Sequence, residues 1–429
     1  MKNTNNPWST EDEKEHYPTV LEWWCTEGFL TSKKTDRIWS FKGSFSEWCT
    51  VDKQHGSSYD FTLFDLKEKK HFSYFIRSET EKLAVSYDEE KRIHTRFDTA
   101  FLTGSYPDYI LQYENKPDAI TLGLQYHAES HPHWITQDIT GGYLPMGFGF
   151  YRYGFIPRNH IKGTLSIQQE TIPVDGTGYY EHVWGDFSYK HPIANLSFLK
   201  KSLSIYQKLV AWWIHHHTLK IPNTIKFLSE NNPLGYDWVW AVLNNGWSMF
   251  LGNILFWVAE GPIFGTLILT KDGKHYQEFC NVTYRYNATT KSKNHDFIYP
   301  TSIEIIAKHN NETLHITCTA SMPSREFVTP LNQQKWIAFV ICEAPGTITG
   351  TYTDNKTTIP LKGRCKIEPQ RQISIYGHNA LSLHFIKPPK GVGIHIDLES
   401  HYLRKRISST IACTPFPKVS FTNKKIIEP

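Results

Sequence analysis

An all-β fold built from two antiparallel barrel-type domains is what this sequence predicts, on three observations. Short apolar–polar alternations recur along nearly the whole chain, Gly, Asn and Asp punctuate them, and 429 residues exceed what one ordinary core organises. Among the alternating runs are FTLFDL (61–66), KGTLSI (162–167), GTLILT (265–270), TSIEIIA (301–307) and GVGIHIDL (391–398). A strand turns successive side chains to opposite faces, so this period of two is the mark of a half-buried strand. Strands this short and closely spaced favour antiparallel barrels or sandwiches over βαβ units. Turns are expected at Asp175-Gly176 and Asp272-Gly273.

Composition narrows the function classes. Charged residues make up 21% and aromatics 14%, with a formal net charge of +4. That balance, with no long run of like charge, excludes a phosphate-backbone binder, so no nucleic-acid partner is expected. No Gly-rich phosphate loop and no G-x-S-x-G elbow is present. The N-terminal MKNTNNPWSTEDEKEHYP lacks the apolar centre of a secretory signal, which predicts a cytoplasmic protein. Seven cysteines without a C-x-x-C pair, mostly inside alternating runs, read as reduced, buried thiols.

Two segments depart from the alternation. Tyr236–Val258 is apolar enough to suggest a membrane span, but Asn245-Gly246 in its middle predicts a hairpin of two strands. From Asn195 to His217, Leu196, Leu199, Leu203, Tyr206, Val210 and Trp213 follow spacings of three and four, which predicts a helix. Its Trp-tipped, lysine-bearing character fits either a lid packed on a barrel or peripheral contact with a membrane. The expected organisation is therefore residues 1–187, a helical insertion over 188–235, and residues 236–429.

The residues with chemical potential are aromatic and acidic. They fall in Glu22-Trp23-Trp24, in WSFKGSFSEW (39–48), in Gly178-Tyr179-Tyr180-Glu181-His182-Val183-Trp184, and in Tyr236-Asp237-Trp238. On a strand, Tyr179, Glu181 and Val183 share one face and Tyr180, His182 and Trp184 the other. A carboxyl kept from water holds its proton to higher pH and can donate it, for instance to an alkene whose cation aromatic faces then steady. The alternative is that Glu181 accepts structural hydrogen bonds where two domains meet. Metal binding is not expected: Pro132 breaks the His127–His133 cluster, and His215, His216 and His217 diverge by about 100° each on a helix.

These motifs carry a resemblance. E-W-W near the start, Y-R-Y (151–153), the G-T-L strand, G-x-G-Y-Y-E-H-V-W-G-D and D-W-V-W-A-V-L-N-N-G together resemble the AttH/hydroxyneurosporene-synthase family. That family includes carotenoid hydratases and is similar to the lipocalin-like Diels–Alderases and cyclases. The resemblance implies two lipocalin-like β-barrel domains and a tunnel for a hydrophobic ligand, with no cofactor. It places the proton-transfer role on Glu181 and Tyr179; from the aromatic and acidic clusters, Trp23, Trp24, Tyr153, His182, Trp184, Asp237 and Trp238 are expected to bind the substrate. The sequence departs from the family pattern in reading Glu-His where Asp-His is usual, and Cys25 where Tyr usually follows E-W-W. The expected function is a hydratase, isomerase or cyclase acting on an isoprenoid or polyketide through a buried acid in a barrel pocket. A non-catalytic lipid or pigment carrier is the alternative.

Overall fold

The computed structural model describes residues 8–32, 34–49, 55–78, 82–146, 149–186, 196–216, 224–228, 236–257, 262–279, 281–293, 297–328, 337–374, 379–387, 391–400, 403–412 and 418–425. All five alternating runs named above lie in strands, apart from Leu66 and Gly391-Val392 at their ends, and every strand pair among the described residues is antiparallel.

One curled sheet of 13 strands is built from residues 21–186. At its centre the strand Glu170–Asp186 lies between Leu21–Thr31 and Gly149–Ile167. A second sheet, of 10 strands, spans 236–374, with Tyr236–Leu243 between Ser248–Trp257 and Thr358–Ser374. Together they give the two lipocalin-like β units expected from the sequence. The strands Asn379–Ile386, Gly393–Ser400, Lys405–Ala412 and Lys418–Lys425 join neither; they form a third sheet with Thr224–Leu228.

Each large sheet closes on its own apolar core. Trp24, Phe45, Tyr59, Tyr113 and Tyr180 fill the first. Leu251, Leu267, Ile305 and Ile316 fill the second. A third cluster lies between the sheets, where Tyr153, Phe155, Tyr179 and Val183 of the first meet Trp238, Trp240 and Phe250 of the second. Phe155 stacks on Phe250 at 4.6 Å between ring centroids. Pro157 cannot donate to its neighbour, and the Gly149–Ile167 strand shifts register between Ile156 and Asn159. The Pro157 carbonyl instead accepts the Trp240 indole N–H across the seam at 2.8 Å.

Local signals fared unevenly. Asn244-Asn245-Gly246 is the expected turn, with Gly246 at φ 91°. Asp272-Gly273 also turns, with Gly273 at φ 74°. Asp175-Gly176 does not: the strand runs unbroken from Glu170 to Asp186, and the chain reverses at Gln168-Gln169. Gly176 serves close approach instead, since a Cβ there would overlap the Phe29 carbonyl oxygen.

The helix Leu196–His216 exists, but it is rotated from the expected stripe. Ser202 and Ile205 are buried, while Leu203 and Val210 are exposed. Phe198 meets Phe150 edge-on, and the Lys201 ammonium sits over the Tyr143 and Phe150 rings. Lysine stems thus cover apolar surface that leucine was expected to cover. Trp213 and His217 lie outside the described side chains. No described helix is long and apolar enough to cross a membrane. Cys25, Cys49, Cys318, Cys342 and Cys365 are buried thiols; Cys280 and Cys413 lie outside the described residues.

Candidate active site between the two sheets

Glu181 stands opposite Cys25 on one neighbouring strand and Phe155 on the other. Its face is the one that meets the second sheet, so the carboxyl lies in the seam and not inside the first barrel. The alternation that expected Tyr179, Glu181 and Val183 on one face holds; which face turned inward was reversed. Tyr180 is the neighbour that enters the first core, because its large ring fills the barrel interior beside Tyr109, at 4.6 Å.

Aromatic donors surround this carboxyl. The Trp23 indole N–H donates to Oε1 at 2.9 Å. The Tyr179 hydroxyl donates to Oε2 at 2.9 Å, and the Tyr153 hydroxyl donates to the same oxygen. The two hydroxyls are 2.6 Å apart, and Trp238 donates its indole N–H to Tyr153 at 3.0 Å. Trp238 belongs to the second sheet, so the arrangement is complete only when both sheets are in place. Tyr179 is buried, whereas Glu181 and Trp23 are half-buried. Burial pushes the Glu181 carboxyl above its usual range, against the lowering effect of the Tyr153 and Trp23 hydrogen bonds. Oε2 takes two hydrogen bonds from described residues and Oε1 one, which leaves Oε1 the oxygen with capacity to face a ligand.

Beside this acid lies a charged network that the sequence reading did not single out. Lys42 donates to Glu368 at 2.6 Å and to Glu343, and Glu368 also accepts the Tyr236 hydroxyl at 2.7 Å. Lys366 pairs with Glu27 at 2.9 Å, and Arg325 with Asp60 at 2.6 Å. Burial opposes the Lys42 charge, but Glu343 and Glu368 outweigh it and hold the ammonium well above its ordinary range. The available signal was charge within otherwise apolar strands: Lys42 in WSFKGSFSEW and Lys366 and Glu368 in RCKIE.

The expected site residues therefore divide. Tyr153, Tyr179, Glu181, Trp23 and Trp238 come together. Trp24, His182 and Trp184 do not, because the same strand alternation turns them to the other face. Trp24 stacks on His182 at 4.7 Å, His182 reaches Glu22 at 2.7 Å, and Trp184 stacks on His16 at 3.7 Å. Asp237 also departs: it is buried on the inner side of the second sheet, paired with Arg371 at 2.9 Å and accepting the Tyr286 hydroxyl. The His127–His133 cluster is dispersed, with His127 on Asp108, Glu129 on Arg158 and His133 stacked on Tyr276.

No protein-family model matches the sequence, and no curated protein does. Solved structures do match. An AttH-type protein from Nitrosomonas europaea aligns with TM-score 0.58 at 16% identity, over 85% of this chain and 97% of that one. Kievitone hydratase from Nectria haematococca aligns with TM-score 0.54 at 11% identity, over 86% and 94% of the two chains. CghA, solved with Sch210972, aligns with TM-score 0.50 at 10% identity, over 83% of this chain and 89% of that one. At these identities the likeness is one of fold, and it spans nearly the whole of each neighbour. The chain thus carries the paired lipocalin-like β fold of the AttH-type structures, the architecture to which its E-W-W and E-H-x-W-G motifs pointed.

Proposed function

We propose that this protein is an enzyme of the hydratase, isomerase or cyclase type, acting on a hydrophobic small molecule in the seam between its two sheets. The observation that carries the reading is the Glu181 carboxyl, half-buried and bound by Trp23, Tyr153 and Tyr179. A solved hydratase of the same fold supports the reaction class. An isoprenoid or polyketide skeleton suits a wall of Trp and Tyr rings, where apolar contact contributes about 25 cal/mol per Å² removed from water. Glu181 delivers its proton from Oε1 to the bound molecule, and the Tyr153 and Tyr179 hydroxyls stabilise the carboxylate that remains. Trp23 and Trp238 offer ring faces to positive charge that develops on the substrate.

The test is Glu181→Gln, which keeps the shape and one acceptor oxygen but holds no transferable acid. Wild-type and variant protein are incubated with a panel of polyenes, and products are read by mass spectrometry. Turnover is expected to fall by about 10²–10⁴-fold, the usual worth of a positioned acid, with ligand affinity nearly intact. Equal turnover in both removes Glu181 from the mechanism. Ligand that binds wild-type protein but is returned unchanged assigns the chain to the carriers.

A further inference from the structure

The proton-transfer reading uses one face of the Glu170–Asp186 strand. On the opposite face His182 enters a cluster that this reading leaves aside. His182 Nε2 lies 2.7 Å from Glu22 Oε1, and the same oxygen lies 3.0 Å from His16 Nδ1. The three side chains offer two imidazole nitrogens and a carboxylate oxygen, all within 4.8 Å of one another.

Their surroundings aim these atoms at a common point. His182 Nδ1 faces the Asp12 carbonyl oxygen at 2.8 Å, a contact that requires the proton on Nδ1. A ring holding only that proton presents its lone pair at Nε2, the arrangement that metal-binding histidines share when the far nitrogen donates to a backbone carbonyl. Glu22 Oε2 accepts the His16 backbone N–H at 2.8 Å, which turns Oε1 toward both rings. Trp184 lies nearly parallel to the His16 ring at 3.7 Å, and Trp24 stacks on His182 at 4.7 Å, so both ring planes are fixed. Nε2 and Oε1 stand 2.7 Å apart, a spacing at which either a proton or a metal ion lies between them. Zinc with bonds of about 2.0–2.2 Å in tetrahedral geometry separates its donors by roughly 3.3–3.6 Å, so binding would open the 2.7 Å Nε2–Oε1 pair by more than half an ångström and the 3.0 Å Nδ1–Oε1 pair by less. Glu22 and His182 are buried, while the His16 side chain keeps 24% exposure, which leaves one side for entry and for a water as fourth ligand.

We propose that His16, Glu22 and His182 form a divalent transition-metal site of the zinc type, which clamps the N-terminal segment onto the strands Leu21–Thr31 and Glu170–Asp186. Two imidazoles with one carboxylate suit zinc, whereas magnesium and calcium favour all-oxygen sites. Coordination through Nδ1 leaves the His16 proton on Nε2, His182 keeps its proton on Nδ1, and protons held between the ligand atoms pass to solvent. The ion lies behind Glu181, one residue along the strand and on the other face, so its role is to fix the strand that carries the acid.

The test uses the full chain, stripped with a chelator and titrated with Zn²⁺ and, separately, with Co²⁺. One ion per chain is expected, with Co²⁺ giving visible absorption that Zn²⁺ abolishes by displacement. His16→Ala sits on a partly exposed segment and should fold, as judged by far-UV circular dichroism. It is expected to weaken binding by at least about 100-fold, beyond the roughly 10–100-fold of an outer-shell change. Glu22→Gln should lose binding in the same way, and Glu181→Gln should keep it. A wild-type chain that takes up no ion, or a His16→Ala variant that binds equally well, overturns the proposal and leaves a proton-sharing His–Glu–His cluster.

Discussion

Replacing Tyr153 with phenylalanine deletes one oxygen at which three partners meet: the Trp238 indole, the Tyr179 hydroxyl and the Glu181 carboxyl. Tyr153 and Trp238 are each 7% exposed, so water does not readily replace the lost acceptor. An indole N–H orphaned in that setting costs about 1–3 kcal/mol, and the lost hydrogen bond to the carboxylate adds about 1 kcal/mol or more. Tyr153→Phe is therefore expected to destabilise the fold by about 2–4 kcal/mol. Trp238→Phe removes the donor instead of the acceptor. In the double variant neither orphan remains, so it should be more stable than the sum of the singles by about 1–2 kcal/mol. Urea denaturation followed by near-UV and far-UV circular dichroism measures this, and coincident transitions confirm that both sheets unfold together. Singles that add to within about 0.5 kcal/mol would show that the two groups are not coupled, and the seam cluster as described would be refuted.

Three more outcomes follow from the same geometry. Burial raises the Glu181 carboxyl in the fold, so its contribution favours folding where it is protonated and is lost as pH rises from the unfolded value to the raised one. Glu181→Gln should thus gain stability relative to wild type between acid and neutral pH, and melting temperatures that differ by a constant amount across that range would contradict it. Lys42→Met leaves Glu343 and Glu368 buried without their shared cation. It should cost about 3–5 kcal/mol at neutral pH and less in acid, where the two carboxyls protonate; a pH-independent loss in urea denaturation would argue against the network. Gly176→Ala drives a methyl into the Phe29 carbonyl and should lower the melting temperature by several degrees, whereas at Gly123 the nearest atom to an added Cβ is Thr164 Oγ1 at 3.9 Å. Equal melting temperatures for the two alanine variants would count against that close approach.

Much of this architecture is legible in one sequence, because strand alternation is a local property. KGTLSI and TSIEIIA declare their strands wherever they end up in space, and Asn245-Gly246 declares its turn because few residues accept positive φ. The same local logic put Glu181 and Tyr179 on one face and His182 on the other. It misled where a glycine serves packing: Asp175-Gly176 looks like a turn, but the demand for a missing Cβ comes from Phe29 on a neighbouring strand. It misled again in the helix, where Leu203 matches the amphipathic spacing yet is exposed, and Ser202 and Ile205 are buried instead.

The sequence by itself determined the strand periods, the antiparallel class, the thiol character of the five described cysteines and the pairing of side chains into faces. It did not determine which face turns inward. That choice depends on how two curled sheets, brought together from residues more than 50 positions apart, divide their large side chains between two cores and a seam. Tyr180 fits the first core, so Glu181 falls to the seam; there it meets Tyr153 from a neighbouring strand, and Tyr153 in turn meets Trp238 from the other sheet. Contacts 28 and 85 positions apart along the chain arise from packing, which acts on the volume and hydrogen-bond needs of all the neighbours at once, and no short-range pattern records them.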